Sequence, residues 1–203
     1  MQIFLTGVSC VGKTSIGKKI GEFLGINFFD LDQEIESFFG TSIERLQDRF
    51  LTMHSFRNEA AKALENLLNR PDSRDCVIAL PPSGLMGGYL RVLKKTSGTT
   101  IVVTDNPENI LERIRFYDKD SRPIDKKLTP KEKKLYLREI KKDLTYFRNS
   151  YQRANQQVDI SGLDVDQAVY KIIKVAEKLD REIIQQAKPE RSSLSWTGKS
   201  RAF

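Results

Sequence analysis

Residues 2–14 read QIFLTGVSCVGKT, and this stretch decides the fold. Gln2 to Thr6 is short and mostly apolar, the composition of a buried strand. Gly7-Val8-Ser9-Cys10-Val11-Gly12-Lys13-Thr14 then fills the pattern GxxxxGK[ST]. Ile16, Ile20 and Phe23/Leu24 fall on one face of the following residues and predict a helix over 13–24. A glycine-bearing loop between a strand and a helix can curl so that several N–H groups point at one phosphate. The positive end of the helix adds to the attraction. Gly7, Ser9, Val11, Gly12, Lys13, Thr14 and Ser15 are therefore the expected nucleotide-binding residues. Lys13 is placed to reach the β- and γ-phosphates of ATP, and the Thr14 hydroxyl to ligate Mg2+. A tight turn that binds nothing is the competing reading, and Cys10 fills a variable position of the motif.

Working outward, short apolar runs alternate with longer helical patterns, as in βα units around a parallel sheet. Strands are expected at 27–29, 76–80, 100–104 and 158–160. Helices are expected at 35–39, 43–50, 55–69 and 85–93. A further helix should run from Pro107 to about Phe116 with Asn106 as its cap, a long charged one from Pro130 to about Ala154, and a last one to about Gln186. Thr41 with Glu44, and Thr129 with Glu132, have capping-box spacing. Asp164 and Gln167 are read as the cap of the last helix.

The chain has 203 residues, enough for one domain with its own core. Its 34 basic and 27 acidic residues leave a charge of +7, which suits an anionic partner without choosing one. No apolar run approaches the length of a membrane helix, so no membrane association is expected. The N-terminus has no basic segment before its apolar stretch and does not read as a signal peptide. Cys10 and Cys76 are too few for a disulfide framework, which points to the cytoplasm. His54 is the only histidine, so mechanisms needing a histidine pair are set aside.

Asp30 and Asp32 close the second strand about 16 residues after Thr14. Ligands of open α/β sheets sit beyond the carboxyl ends of the strands, so both carboxylates should face the phosphate cradle. One could support Mg2+ and the other orient an attacking hydroxyl; capping of the next helix is the alternative. Here the stretch FFDLDQEIESFFGTSIERL (28–46), followed by SFRNEA (55–60), resembles the shikimate kinase family. Phe28, Asp30, Asp32, Ile35, Glu36, Gly40, Ser42, Ile43, Phe56 and Arg57 match its F-x-D-x-D-x-x-I-E, G-x-S-I and Phe-Arg segments in order. The resemblance implies that Asp30 assists Mg2+, that Asp32 meets the acceptor hydroxyl, and that Arg57 grips the acceptor's carboxylate. A guanidinium fork suits that task; an ordinary surface salt bridge is the alternative for Arg57.

Arg122-Pro123 resembles the Arg-Pro of the family's mobile lid, about 115–130 here, and Arg115 lies seven positions earlier, where the family places an arginine over the adenine. The resemblance makes Arg122 a catalytic residue with Lys13 and Asp32, neutralising charge on the transferring group. A solvated basic loop is the competing reading. Arg148, followed by Tyr151, resembles the late substrate-binding arginine, with a spacing one residue short; Arg153 is the lesser candidate. Ala79-Leu80-Pro81-Pro82-Ser83-Gly84 departs from the family, which has a Gly-Gly-Gly turn whose N–H groups help bind shikimate; proline has no N–H. Gly84 is the residue of this turn carried over as substrate-binding. Glu59 is also displaced, two positions after Arg57 rather than three.

The resemblance covers about residues 1–160. It implies an α/β, three-layer P-loop fold: a five-stranded parallel sheet of order 2-3-1-4-5 with helices on both faces, spanning 1–186. The implied activity is ATP-dependent phosphorylation of shikimate or a related carboxylated or polyol acceptor by a monomer. An ATP-binding regulator that has lost its acceptor is the alternative. Nucleic-acid binding is disfavoured, because Asp125, Glu132, Glu139 and Asp143 intersperse the basic residues of 125–142. Residues 187–203, with Trp196, lack periodicity and read as a basic tail.

Overall fold

The computed structural model of the protein describes residues 1–186; the expected tail and Trp196 lie outside the described residues. Five strands form one parallel sheet: β1 (Gln2–Thr6), β2 (Asn27–Asp30), β3 (Cys76–Ala79), β4 (Thr99–Thr104) and β7 (Gln156–Asp159). Their spatial order is β2-β3-β1-β4-β7, the expected order once β7 is counted as the fifth strand of the sheet. Phe4 of β1 is in register with Ile78 on one side and Thr100 on the other. Ile3, Phe4, Leu5, Val77, Ile78, Ile101 and Val102 are all fully buried, the unbroken apolar reading of strands covered on both faces. Asp30 is in register with Ala79, so the carboxylate end of β2 meets the start of the Pro81-Pro82 turn.

Helices flank the sheet. α1 (Lys13–Leu24) and α8 (Val165–Gln186) pack on each other, α1 against β3 and α8 against β4. α4 (Met53–Leu68) packs against α2 (Leu31–Phe39) and α5 (Gly87–Leu93), and α6 (Pro107–Glu112) against α7 (Pro130–Tyr151). Gly17 of α1 is a contact requirement: a Cβ there would lie 2.4 Å from the Phe28 ring.

Several ends differ from the expectation. α2 begins at Leu31 rather than Ile35, because Asp30 caps it by accepting from the Asp32 N–H. α3 (Ile43–Gln47) is capped by Ser42, which accepts from Arg45 N; Thr41 is not its cap. α4 starts earlier than expected, capped by Thr52. The Thr129–Glu132 capping box and the reciprocal Asp164–Gln167 bonds form as read. α6 stops at Glu112 instead of reaching Phe116, and the Asn106 side chain makes no cap bond. Phe116–Tyr117 instead forms β5, paired antiparallel with β6 (Pro123–Ile124).

Candidate active site

The loop after β1 is held in conformations that its glycines permit. Gly7 has φ +146°, and a Cβ on it would lie 2.4 Å from the Val103 carbonyl oxygen of β4. Gly12, at φ +109°, is the residue from which α1 starts. Cys10 adopts φ +61°, so this variable position carries a left-handed conformation without a glycine. Lys13 donates from Nζ to the carbonyls of Gly7 (2.9 Å) and Val8 (3.0 Å), which points its ammonium along the inside of the loop. Burial lowers its pKa, and Asp32 and Asp30 oppose that effect.

The two aspartates divide their tasks by position. Thr14 donates from Oγ1 to Asp30 Oδ2 at 2.7 Å, joining the phosphate loop to the end of β2. These are two hard oxygen donors, one hydroxyl and one carboxylate, suited to a cation that completes its shell with water and phosphate oxygens. No cluster of three or more His, Cys, Asp or Glu side chains that could hold a metal alone occurs among the described residues. Asp32 sits in the first turn of α2, not on the strand. Its side chain meets water inside the cleft, yet the protein crowded around it hinders its solvation. That desolvation and the Asp30 carboxylate push its carboxyl up to about 6, against the pull of Lys13. It is the group here best matched to proton transfer near neutral pH.

Ser9, Gly12, Lys13, Thr14, Ser15, Asp30, Asp32 and Arg115 all line one cleft of about 680 Å3, a volume that takes a nucleotide-sized ligand. Gly7 and Val11 are buried behind it. Arg57 is 8% exposed on α4 and is not on the cleft wall, and its Nε has no hydrogen-bond partner among the described residues. Arg122 is exposed, and the structure does not place it on the cleft wall. Arg148 is exposed on α7 and likewise does not reach that wall. Gly84 is buried, and its N–H is engaged with the Pro81 carbonyl at 2.8 Å, so it does not present a donor to the cleft. In the same turn Leu80 N–H bonds to Leu5 O (2.7 Å) and Met86 N–H to Ser83 O (2.9 Å).

Sequence reasoning passed over Arg113 and Asp105. Arg113 donates to the Val11 carbonyl of the phosphate loop at 2.8 Å and pairs with buried Asp105. Burial works to raise the Asp105 carboxyl, but the bonds from Arg113, Asn109 and the Asn106 N–H outweigh it and hold it low. An aspartate directly after the apolar TIVVT strand, with an arginine eight positions on, was the available signal. Arg153, the lesser of the two late-arginine candidates, donates to Leu85 O in the turn after β3 at 3.0 Å. The β5–β6 ribbon is tied to the α2–α3 segment at three points. Ser121 donates to the Glu36 carboxylate, Ser42 to Lys119 O (2.5 Å), and Arg45 pairs with Asp120 (2.7 Å).

A family model described as shikimate kinase matches residues 9–177. The Nitrosospira multiformis shikimate kinase is 30% identical over 122 residues, 60% of this chain and 60% of that relative; the chain thus spans about three fifths of its length. The Chlorobaculum tepidum shikimate kinase is 33% identical over 164 residues, 73% of this chain and 82% of the relative. Among solved structures, shikimate kinase from Aquifex aeolicus superposes with a TM-score of 0.65 at 26% identity, covering 89% of this chain and 98% of that one. The family model runs from inside the phosphate loop to the last helix and takes in both aspartates and the ribbon: the chain belongs to the shikimate kinase family.

Proposed function

We propose that the protein transfers the γ-phosphoryl group of ATP to a hydroxyl of shikimate or of a closely related hydroxylated carboxylate. One observation carries this reading: Asp32, a carboxylate poised near pH 6, shares a cleft with the Lys13 ammonium and the phosphate loop. An alcohol needs a proton acceptor at the moment it attacks, and the phosphates need fixed positive charge beside that acceptor.

Each residue then has a defined task. The loop N–H groups and Lys13 hold the phosphates, with Lys13 exchanging the Gly7 and Val8 carbonyls for phosphate oxygens. Arg113 braces the loop through Val11. Thr14 and Asp30 would hold Mg2+, which supplies charge neutralisation at the phosphates. Asp32 orients the acceptor hydroxyl and takes its proton. Arg57 receives the acceptor's carboxylate, and Arg115, which lines the cleft, is assigned to the nucleotide. Arg122 moves inward with the ribbon to neutralise charge on the transferring group, and closure keeps water from competing. The kinase unit is residues 1–186, with the lid between about 115 and 130. We place it in the cytoplasm as a monomer; Cys10 and Cys76 are free thiols, and no described helix is long and apolar enough to cross a membrane.

The test is ADP formation from Mg-ATP with and without shikimate, with Lys13→Ala as the blank. Turnover that depends on both shikimate and Lys13 is expected. Turnover equal to the acceptor-free control would overturn the acceptor assignment.

A further inference from the structure

The strand order β2-β3-β1 puts the end of β3 between the two halves of the proposed reaction. Ala79 is in register with Leu5 of β1, just before the phosphate loop, and with Asp30 of β2, just before Asp32. The turn after Ala79 therefore leaves the sheet between the phosphate cradle and the residue assigned to the acceptor's proton. Ala79, Leu80 and Pro82 all line the cleft.

This part of the wall donates little. Pro82 is half-buried and has no N–H, so it can show the cleft only ring C–H groups and a carbonyl. The side chains of Ala79 and Leu80 are apolar, and the Leu80 N–H is spent on Leu5 O at 2.7 Å. Ser83 and Leu85, further along the turn, are buried and do not line the cleft. The turn is also braced in this shape. Pro81 O accepts from Thr6 Oγ1 at 3.2 Å and from Gly84 N–H at 2.8 Å, and a Cβ on Gly84 would lie 2.6 Å from the Leu80 Cβ. Two successive prolines, each with φ fixed, keep it from re-forming around a ligand. Polar side chains reach the same cleft from the elements after β2, Gln33 on α2 and Glu44 on α3. The acceptor end thus has a polar side and an apolar one. An oxygen set against the apolar side gives up its water and meets no donor.

We infer that Pro82 is a specificity-determining residue of the acceptor pocket: it makes the β3 side an apolar wall, toward which the acceptor turns a C–H edge and not a hydroxyl. The inference rests on the proposed kinase reading and deepens it. The class of acceptor that fits is a hydroxylated carboxylate that needs no polar group on that edge, so shikimate and a relative lacking the hydroxyl there are accepted alike.

The experiment measures, by calorimetry on the full chain, the affinity for shikimate and for its three monodeoxy analogues, each lacking one ring hydroxyl. A hydroxyl that is hydrogen-bonded in the site costs about tenfold in affinity when deleted, whereas one facing the proline costs nothing. At least one analogue is therefore expected to bind as tightly as shikimate or more tightly. Pro82→Gly and Pro82→Ala each restore an N–H to the wall, and both should move the ratio of affinities for shikimate and that analogue about tenfold toward shikimate, with ATP affinity unchanged. A loss of about tenfold or more for every analogue would show that each hydroxyl has a partner. It would overturn the apolar wall and leave the kinase reading intact, whether or not the variants fold. An unchanged ratio in a variant that binds ATP normally would remove Pro82 as the determinant. Absence of binding by shikimate and all three analogues, with ATP still bound, would overturn the acceptor class itself.

Discussion

Asp32 carries opposite demands from catalysis and from folding. In the unfolded chain its carboxyl titrates at the ordinary value of 3.8; in the folded cleft it is pushed up to about 6 by withdrawal from bulk water and by Asp30. The proposed transfer needs the ionised form, so kcat/KM for the acceptor should fall as the pH drops through about 6. Asp32→Asn should lose roughly 100- to 10,000-fold in rate, and steady-state assays across pH 5 to 8 check both effects. Stability runs the other way. With the folded pKa raised, the native state binds the proton more tightly between about pH 4 and 6, and ionisation through that window destabilises it. Asp32→Asn is thus expected to melt above the wild type at pH 7.5, with the gap closing below pH 4, where both forms are neutral. Gly7 faces a steric demand instead. Gly7→Ala meets an unfavourable φ of +146° and a carbonyl 2.4 Å away on β4, a backbone atom that cannot swing aside. A loss of about 3 kcal/mol or more in urea unfolding is expected, with ATP binding lost as well.

At the scale of elements, the ribbon shows what a local reading misses. The segment after Pro107 has the start signals of a helix, and α6 does begin there. It ends at Glu112 because Phe116 and Tyr117 are claimed by Ile124 and Pro123, and because the Phe116 ring meets Tyr136 of α7 edge-on at 5.4 Å. The ribbon pairing is local, six to eight positions apart, but strands of two residues carry no readable alternation, and Tyr136 lies 20 positions on. The latch is long-range. Glu36 and Ser42 were legible through resemblance, but their bonds to Ser121 and Lys119 span 85 and 77 positions. The phosphate loop was readable because its chemistry is contiguous, from Gly7 to Thr14. The acceptor-binding candidates are harder to read, because Arg57 on α4 and Arg153 after α7 meet the β3–α5 connection only through packing, Arg57 beside Gly87 and Arg153 on the Leu85 carbonyl. The latch carries its own expectation. Ser121→Ala with Arg45→Ala removes two of its three ties, both near the surface, so melting should barely change. ATP hydrolysis without acceptor should rise relative to transfer, because a looser ribbon admits water. Comparing ADP release with and without shikimate reads that ratio, and an unchanged ratio would show that the ties do not govern closure.

Over the whole molecule, basic and acidic side chains are interspersed among the described residues rather than gathered into one field. Lys126 pairs with Glu132, Lys142 with Glu139 and Lys141 with Glu108, so the basic helix α7 presents mixed charge to solvent. The strong positive feature is instead internal, where Lys13, the N-terminal end of α1 and Arg113 converge at the carboxyl edge of the sheet. Nucleotide binding should therefore act on the stability of the whole domain, because the loop it orders joins β1 to α1 and leans on β4 and β2. A ligand that binds only the folded state at 100 times its Kd adds about 2.7 kcal/mol, which for a domain of this size raises Tm by roughly 5–10 °C. Mg-ATP is expected to give a shift of that order. Metal removal should shrink it, since chelated nucleotide loses the bridge to Thr14 and Asp30. In Asp30→Ala the shifts with and without Mg2+ should converge, whereas in Arg57→Ala the full magnesium effect should persist. Differential scanning calorimetry of the three proteins with ATP, in magnesium and in EDTA, separates these cases. An equal magnesium effect in wild type and Asp30→Ala would remove Asp30 from the cation site.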